Sequence, residues 1–194
     1  AVTPTKLPEM FDINEDIQCS INGCLVNFKD FQFDPKLPIY IDGSAKDIRH
    51  RGLAVAAVAA IQFNSKGQIL VARCRVPRNS LQSAVAAERM AVHIAFRCLP
   101  QQGKHSAIIV SDCQAIVSAF SHPHLHEGYR SKFGGLWREK GLQAVSAILK
   151  TPAHRTREEA VAVDDEENWI GNDKADYWAK ETLAGTGDAG VKYK

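Results

Sequence analysis

Residues 37–76 read LPIYIDGSAKDIRHRGLAVAAVAAIQFNSKGQILVARCRV, and the fold class follows from them. Ile39-Tyr40-Ile41 is a short apolar strand ending in Asp42-Gly43-Ser44. Gly52 to Phe63 is a second strand, rich in Ala and Val. The turn Asn64-Ser65-Lys66-Gly67 leads into a third strand, Gln68 to Val76. Connections this short join antiparallel neighbours, so the three strands form a meander.

Downstream, the pattern changes period. Ser83 caps a helix running to Leu99. Ala107 to Val110 is a continuous apolar run, the mark of a strand buried on both faces, and it ends at Ser111-Asp112. A helix through Ala119, a loop at His122-Pro123-His124, a helix over Tyr129–Leu142 and a strand over Ala144–Leu149 follow. Residues 155–168 read as an acidic loop, and Asn172 as the cap of a last helix to about Leu183. A meander followed by alternating strands and helices makes an α/β fold with a mixed sheet and helices on its faces.

Upstream, residues 1–36 hold an acidic stretch (Asp12, Glu15, Asp16) and one hairpin signal, Asn22-Gly23 between apolar residues. They are expected to be a connecting arm and not a domain, with the main domain over 37–185 and a tail over 186–194. The 194 residues suit one domain of ordinary size with a remainder. At 45% hydrophobic and 24% charged, the composition excludes wholesale disorder and a fibrous chain. No apolar run approaches the ~20 residues of a membrane span, so no membrane partner is expected. The opening Ala1-Val2-Thr3-Pro4, without Met, points to a piece of a longer polypeptide. Five scattered cysteines (Cys19, Cys24, Cys74, Cys98, Cys113) argue for reduced thiols and an intracellular setting, cytoplasm or nucleus. Net charge is +2, but it divides into −3 over residues 1–38, +9 over 39–163 and −4 over 164–194. A basic middle fits a polyanionic partner.

Asp42 and Asp112 each end a strand; if those strands are parallel neighbours, both carboxylates leave the same edge of the sheet. Glu88 shares its helix face with Val92, Ala95, Phe96 and Leu99, and Asp176 shares its own with Ala179 and Leu183. Carboxylates on apolar stripes face the protein. Asp173, in line with Tyr177 and Lys180, is expected to point to water. Buried, mutually repelling carboxylates need a cation, and an all-oxygen set without His or Cys favours Mg²⁺ or Mn²⁺. Two such ions about 4 Å apart are the usual machinery of phosphodiester cleavage.

Tyr40-Ile41-Asp42-Gly43-Ser44, Ala87-Glu88, Ser111-Asp112-Cys113-Gln114, Pro152-Ala153-His154 and Gly171-Asn172-Asp173-Lys174-Ala175-Asp176-Tyr177-Trp178-Ala179-Lys180 resemble, in order, the signatures of ribonuclease H type 1. The last motif is most similar to the domains attached to non-LTR retrotransposon reverse transcriptases. The resemblance implies a five-stranded mixed sheet of order 3-2-1-4-5, and an endonuclease that cuts the RNA strand of an RNA–DNA hybrid with two Mg²⁺ ions, Mn²⁺ substituting. It implies Asp42, Glu88, Asp112 and Asp176 as metal ligands, His154 as an aid to proton transfer and product release, and a reverse transcriptase domain in the same polyprotein. Ala84-Val85 stand where many cellular relatives carry an Asn-Gln pair that reads ribose 2′-hydroxyls. That departure leaves a non-cleaving hybrid-binding or scaffold module as the alternative; the order of the motifs disfavours a resolvase or integrase.

Substrate-binding candidates are Gly43, Ser44 and Gln114 beside the carboxylates, Arg73 and Arg75 on one face of the third strand, and Lys132 and Arg138 near Trp137. His122-Pro123-His124-Leu125-His126 has alternating imidazoles but no second ligand pair nearby. Cys19 and Cys24 flank the Asn-Gly turn as hairpin filling, and Ser44, Ser111 and Cys113 read as packing or capping residues, not nucleophiles.

Overall fold

The structure, a computed structural model, describes residues 17–46, 54–77, 82–102, 106–122 and 147–185. In chain order they form β1 (Gln18–Ile21), β2 (Cys24–Val26), a 3₁₀ turn (Phe28–Asp30), β3 (Ile39–Lys46), β4 (Val55–Phe63), β5 (Ile69–Arg75), α1 (Ala84–Arg97), β6 (Ile108–Ser111), α2 (Gln114–Ser121), β7 (Ala147–Lys150), α3 (Arg157–Ala162) and α4 (Glu166–Ala184). The expected helix over 129–142 lies outside the described residues, as do Lys132 and Arg138.

The sheet has seven strands in the order β2-β1-β5-β4-β3-β6-β7. The meander β3-β4-β5 is antiparallel, and β6 and β7 add in parallel beside β3. These five strands keep the expected order, but five is not the full count. Asn22 and Gly23 adopt positive φ (48° and 78°), as a tight two-residue hairpin turn requires, and fold β2 back on β1. β1 then pairs antiparallel with β5, Gln18 opposite Arg73, and Asn22 fixes the register by exchanging hydrogen bonds with the backbone of Ile69.

Residues 28–37 are tied down as well. The buried Gln62 side chain accepts from the Asp34 N–H (2.7 Å) and donates to the carbonyls of Asp34 (2.8 Å) and Leu37 (3.0 Å). Phe31 and Phe33 are buried in the main core, and the Phe33 N–H donates to the Cys98 carbonyl at 2.8 Å. Burying one such ring is worth about 2–3 kcal/mol.

Strand alternation sorts the core onto two faces. Ile39 and Ile41 of β3 and Ala56, Val58 and Ala60 of β4 pack with α1 and α2. Tyr40 and Ile61 pack on the other face with Val71, Val110 and Ala175 of α4. The alanines of β4 admit helices closely from both sides. α4 meets the sheet through Gly171, Ala175, Ala179 and Leu183, a buried stripe of mostly small residues. A Cβ at Gly171 would stand 2.4 Å from the Tyr40 ring, so only glycine allows this approach.

Two expectations for the C-terminal region are corrected. Residues 155–168 are not a loop: Thr156 and Glu159 form a reciprocal capping box that starts α3, and Asp165 stands at the N-cap position of α4. Asn172 therefore lies inside α4 and caps nothing.

Candidate metal centre

The register Tyr40 opposite Val110, carried two residues further, sets Asp42 beside Asp112. β6 stops at Ser111, while β3 runs on to Lys46 paired only with β4. A crevice opens where the two parallel strands part, at the point where the chain switches from one side of the sheet to the other. Asp42 is thus mid-strand and not at a strand end as its sequence suggested; it is the partner that ends there.

α1 carries Glu88 to the same place. A Cβ on Gly43 would lie 2.5 Å from the Glu88 nitrogen and 2.7 Å from Ala87, so the bare glycine lets the first turns of α1 rest on β3. The expected apolar stripe on this helix is wider than a stripe: α1 is buried on every side from Ala86 to Phe96. Ser83 caps it as expected, its side chain accepting from the Ala86 N–H.

Asp42, Glu88 and Asp112 offer carboxylate oxygens within 4.8 Å of one another. Asp42 and Glu88 are 8% and 6% exposed, and Asp112 is half-buried. The Gly43 N–H donates to Asp42 Oδ1 at 2.8 Å. Asn172 Nδ2 donates to Asp112 Oδ2 at 3.3 Å, and the Lys150 ammonium donates to the Asp112 carbonyl. Glu88 Oε2 is buried and has no hydrogen-bond partner. Burial pushes the Asp42 carboxyl up to about 7; the charges of Asp112 and Asp176 add to this, while hydrogen bonds from Glu88 and Gly43 oppose it. Burial, and then the Asp42 charge, hold Glu88 well above the ordinary carboxylate range. This pocket is short of positive charge.

Asp176 stands apart from that trio. Its side chain is 40% exposed and ion-paired with Lys180 at 2.6 Å. The buried stripe of α4 runs through Ala175 and Ala179, so Asp176 flanks it and looks over the rim of the cleft instead of facing the protein like Glu88. Asp173 is exposed as expected, yet it lines the same cleft. The cleft holds about 410 Å³, and Pro152, His154, Arg155, Trp169, Asn172 and Lys180 complete its wall. His154 is exposed, with its backbone in the left-handed region at φ 55°.

The substrate-binding candidates divide. Gly43 lines the cleft, and Ser44 follows it on β3. Gln114 opens α2, exposed, with Nε2 donating to Ser118 Oγ at 3.1 Å. Arg73 is buried with its guanidinium 4.9 Å from the Trp178 ring, and Arg75 donates to the carbonyls of Thr182 (3.3 Å) and Leu183 (3.4 Å) at the end of α4. Neither arginine lines the cleft. Ser111 Oγ accepts from the Cys113 N–H at 3.0 Å, a capping role in keeping with its sequence reading. Sequence reasoning missed Asn172, Lys150, Arg155 and Trp169 at the site. The spacing of Asn172 and Asp176, one helical turn apart, was the one available signal.

Residues 42–132 match the reverse transcriptase-like family. A ribonuclease H1 isolated from compost by a metagenomic approach aligns with TM-score 0.54 at 16% identity, over 79% of this chain and 99% of its own. The ribonuclease H1 of the halophilic archaeon Halobacterium salinarum aligns with TM-score 0.51 at 17% identity, over 77% of this chain and 98% of its own. A third structure, a type 1 ribonuclease H with the type 2 active-site motif, aligns with TM-score 0.52 at 14% identity, over 79% of this chain and 75% of its own. No curated protein matches the sequence. Among the described residues, no helix is long and apolar enough to cross a membrane.

Proposed function

We propose, from the ribonuclease H fold of this chain and the kinship to ribonuclease H type 1 that the family match and the structural neighbours support, that it is a metal-dependent endonuclease hydrolysing the RNA strand of RNA–DNA hybrids. The observation that carries this reading is the trio Asp42, Glu88 and Asp112, held within 4.8 Å with an unpartnered buried oxygen on Glu88. Buried polar atoms without partners are rare, and buried carboxylates that repel one another are costly. A hard divalent cation answers both, so the residues fit Mg²⁺ or Mn²⁺. Asp42, Glu88 and Asp112 would hold the first ion, and Asp176, released from Lys180, would join Asp42 in holding the second. When bound, such a pair activates water and stabilises the leaving 3′-oxygen.

The chain's own residues do the remaining work. Asn172 and Lys150 keep Asp112 turned towards Asp42. Gly43 holds β3 and α1 at the spacing that brings Glu88 in. His154, on the open side of the cleft, moves a proton at the departing 3′-oxygen and eases product release. The reverse transcriptase-like match favours a reverse transcriptase domain in the same polyprotein; the catalytic motifs lie within 37–185, the β1–β2 hairpin completes the sheet, and the free cysteines fit an intracellular setting.

The test is cleavage of a labelled RNA–DNA hybrid with Mg²⁺. The protein cuts the RNA strand, and Asp42→Asn and Asp112→Asn abolish cutting while circular dichroism stays native. Undiminished cleavage by both variants would sink the assignment. Tight hybrid binding by the unaltered protein without any cleavage would replace it with the scaffold reading.

A further inference from the structure

The segment between β7 and α4 is built to hold one exposed residue. Thr151 is buried, and its N–H donates to the Ser111 carbonyl at 3.0 Å, extending the β6–β7 pairing. Pro152, Ala153 and His154 are exposed. Arg155 then turns inward, its side chain only 10% exposed. Its Nη2 donates to the Asp165 carbonyl at 3.1 Å and pairs with the Asp165 carboxylate. From the other side, Trp169 Nε1 donates to the Arg155 carbonyl at 2.9 Å. Asp165 is itself braced by Asn168 Nδ2 at 2.6 Å.

His154 thus sits at the end of a three-residue strap with a buried anchor on each side. Its left-handed backbone (φ 55°) is one that a residue with a Cβ rarely adopts, and it persists only where neighbours impose it. Its chain neighbour Arg155 has both its side chain and its carbonyl fixed to the start of α4, the helix that also carries Asn172 and Asp176. The 155–165 segment is the spacer that brings Arg155 and Asp165 face to face, with α3 turning the chain between them.

We propose that Arg155, clasped by Asp165 and Trp169, is a positioning residue that fixes the His154 imidazole over the cleft. The inference rests on the nuclease reading, in which His154 moves a proton. It assigns to the acidic segment the work of setting the loop histidine.

A double-mutant cycle tests it on the whole chain, with single-turnover hybrid cleavage in Mg²⁺ as one readout and the His154 ring Cε1–H resonance as the other. Trp169→Phe, which removes one hydrogen bond and keeps the ring, and Arg155→Ala each lower kcat by about tenfold, less than the roughly 10²-fold or more of losing a proton-transfer group outright, and leave KM unchanged. Neither substitution lowers kcat further in a His154→Ala background. In both variants the His154 resonance moves to the position of a freely averaging histidine, while the circular dichroism of the folded chain is kept. Additive losses on His154→Ala, a rise in KM alone, or an unmoved His154 resonance each overturn the proposal. The resonance is read without turnover, so a chain that cuts no hybrid yet shows the expected movement refutes the nuclease reading and leaves the clasp standing.

Discussion

Replacing Asp42 by Asn should make the metal-free protein more stable at pH 8 and no more stable at pH 5. The Asp42 carboxyl rises from 3.8 to about 7 on folding, chiefly through burial. The folded state therefore prefers the protonated group. The stability linked to that proton is fully present below pH 3.8 and is lost as pH rises through 7. At about 1.36 kcal/mol per pH unit, the ionised Asp42 costs the fold about 4 kcal/mol at pH 8. An amide removes that cost but weakens the contact with Glu88, a loss of roughly 1–2 kcal/mol. The net gain is about 2–3 kcal/mol, or roughly 4–12 °C in Tm for a chain of this size. Thermal melts in EDTA at pH 5 and pH 8 read the difference directly. At pH 5 the unaltered carboxyl is already protonated, and the gain disappears. A variant less stable than the parent at pH 8, or a gain equal at the two pH values, would refute the reasoning that this carboxylate is buried against its charge.

The same linkage sets the metal response: apparent Mg²⁺ affinity, followed by calorimetry or by the rise in Tm, increases with pH from 5 to 8 as binding displaces the protons that burial holds on Asp42 and Glu88. A flat profile from pH 5 to 8 contradicts the raised carboxyl. Gly43→Ala, whose Cβ would meet the Glu88 backbone at 2.5 Å, costs about 1–3 kcal/mol in urea unfolding and weakens Mg²⁺ binding by forcing α1 away from β3. Gly171→Ala, 2.4 Å from the Tyr40 ring, costs a similar amount. Arg75→Ala lowers stability by about 1 kcal/mol through loss of the α4 carbonyls it holds, and leaves hybrid KM unchanged, since its guanidinium is engaged away from the cleft.

Much of the fold was legible because its signals are local. The turn at 64–67, the cap at Ser83 and the Asn22-Gly23 hairpin each act within a few residues, and each appears where the sequence put it. The addition of β1 to β5 was not legible, because it pairs Gln18 with Arg73 across most of the intervening meander, and no periodicity encodes that choice. Charge density concealed α3: Glu158, Glu159, Asp164 and Asp165 read as a solvated loop. Yet Thr156-Arg157-Glu158-Glu159 already spelled a capping box. Asn172 reads as a cap because Asn favours that position, yet it lies inside α4, and the glycine before it is there to clear Tyr40. At the site, the trio was readable from strand ends and one apolar helix. The half-exposed setting of Asp176 was not, because the stripe through Ala175 and Ala179 lies a residue away from it.

The hairpin has a consequence for handling the protein. β5 is a seven-residue strand, buried from Leu70 to Cys74, and β1 occupies its outer hydrogen-bonding groups from Leu70 to Arg73. With the hairpin in place, the edge on this side of the sheet is β2, three residues long and therefore a poor template for another strand. A piece trimmed to begin at residue 37 would keep every carboxylate of the cleft and bare the flank of β5 from Leu70 to Arg73. Its fate at high concentration would be self-association through that flank, and its insolubility would say nothing about the nuclease site.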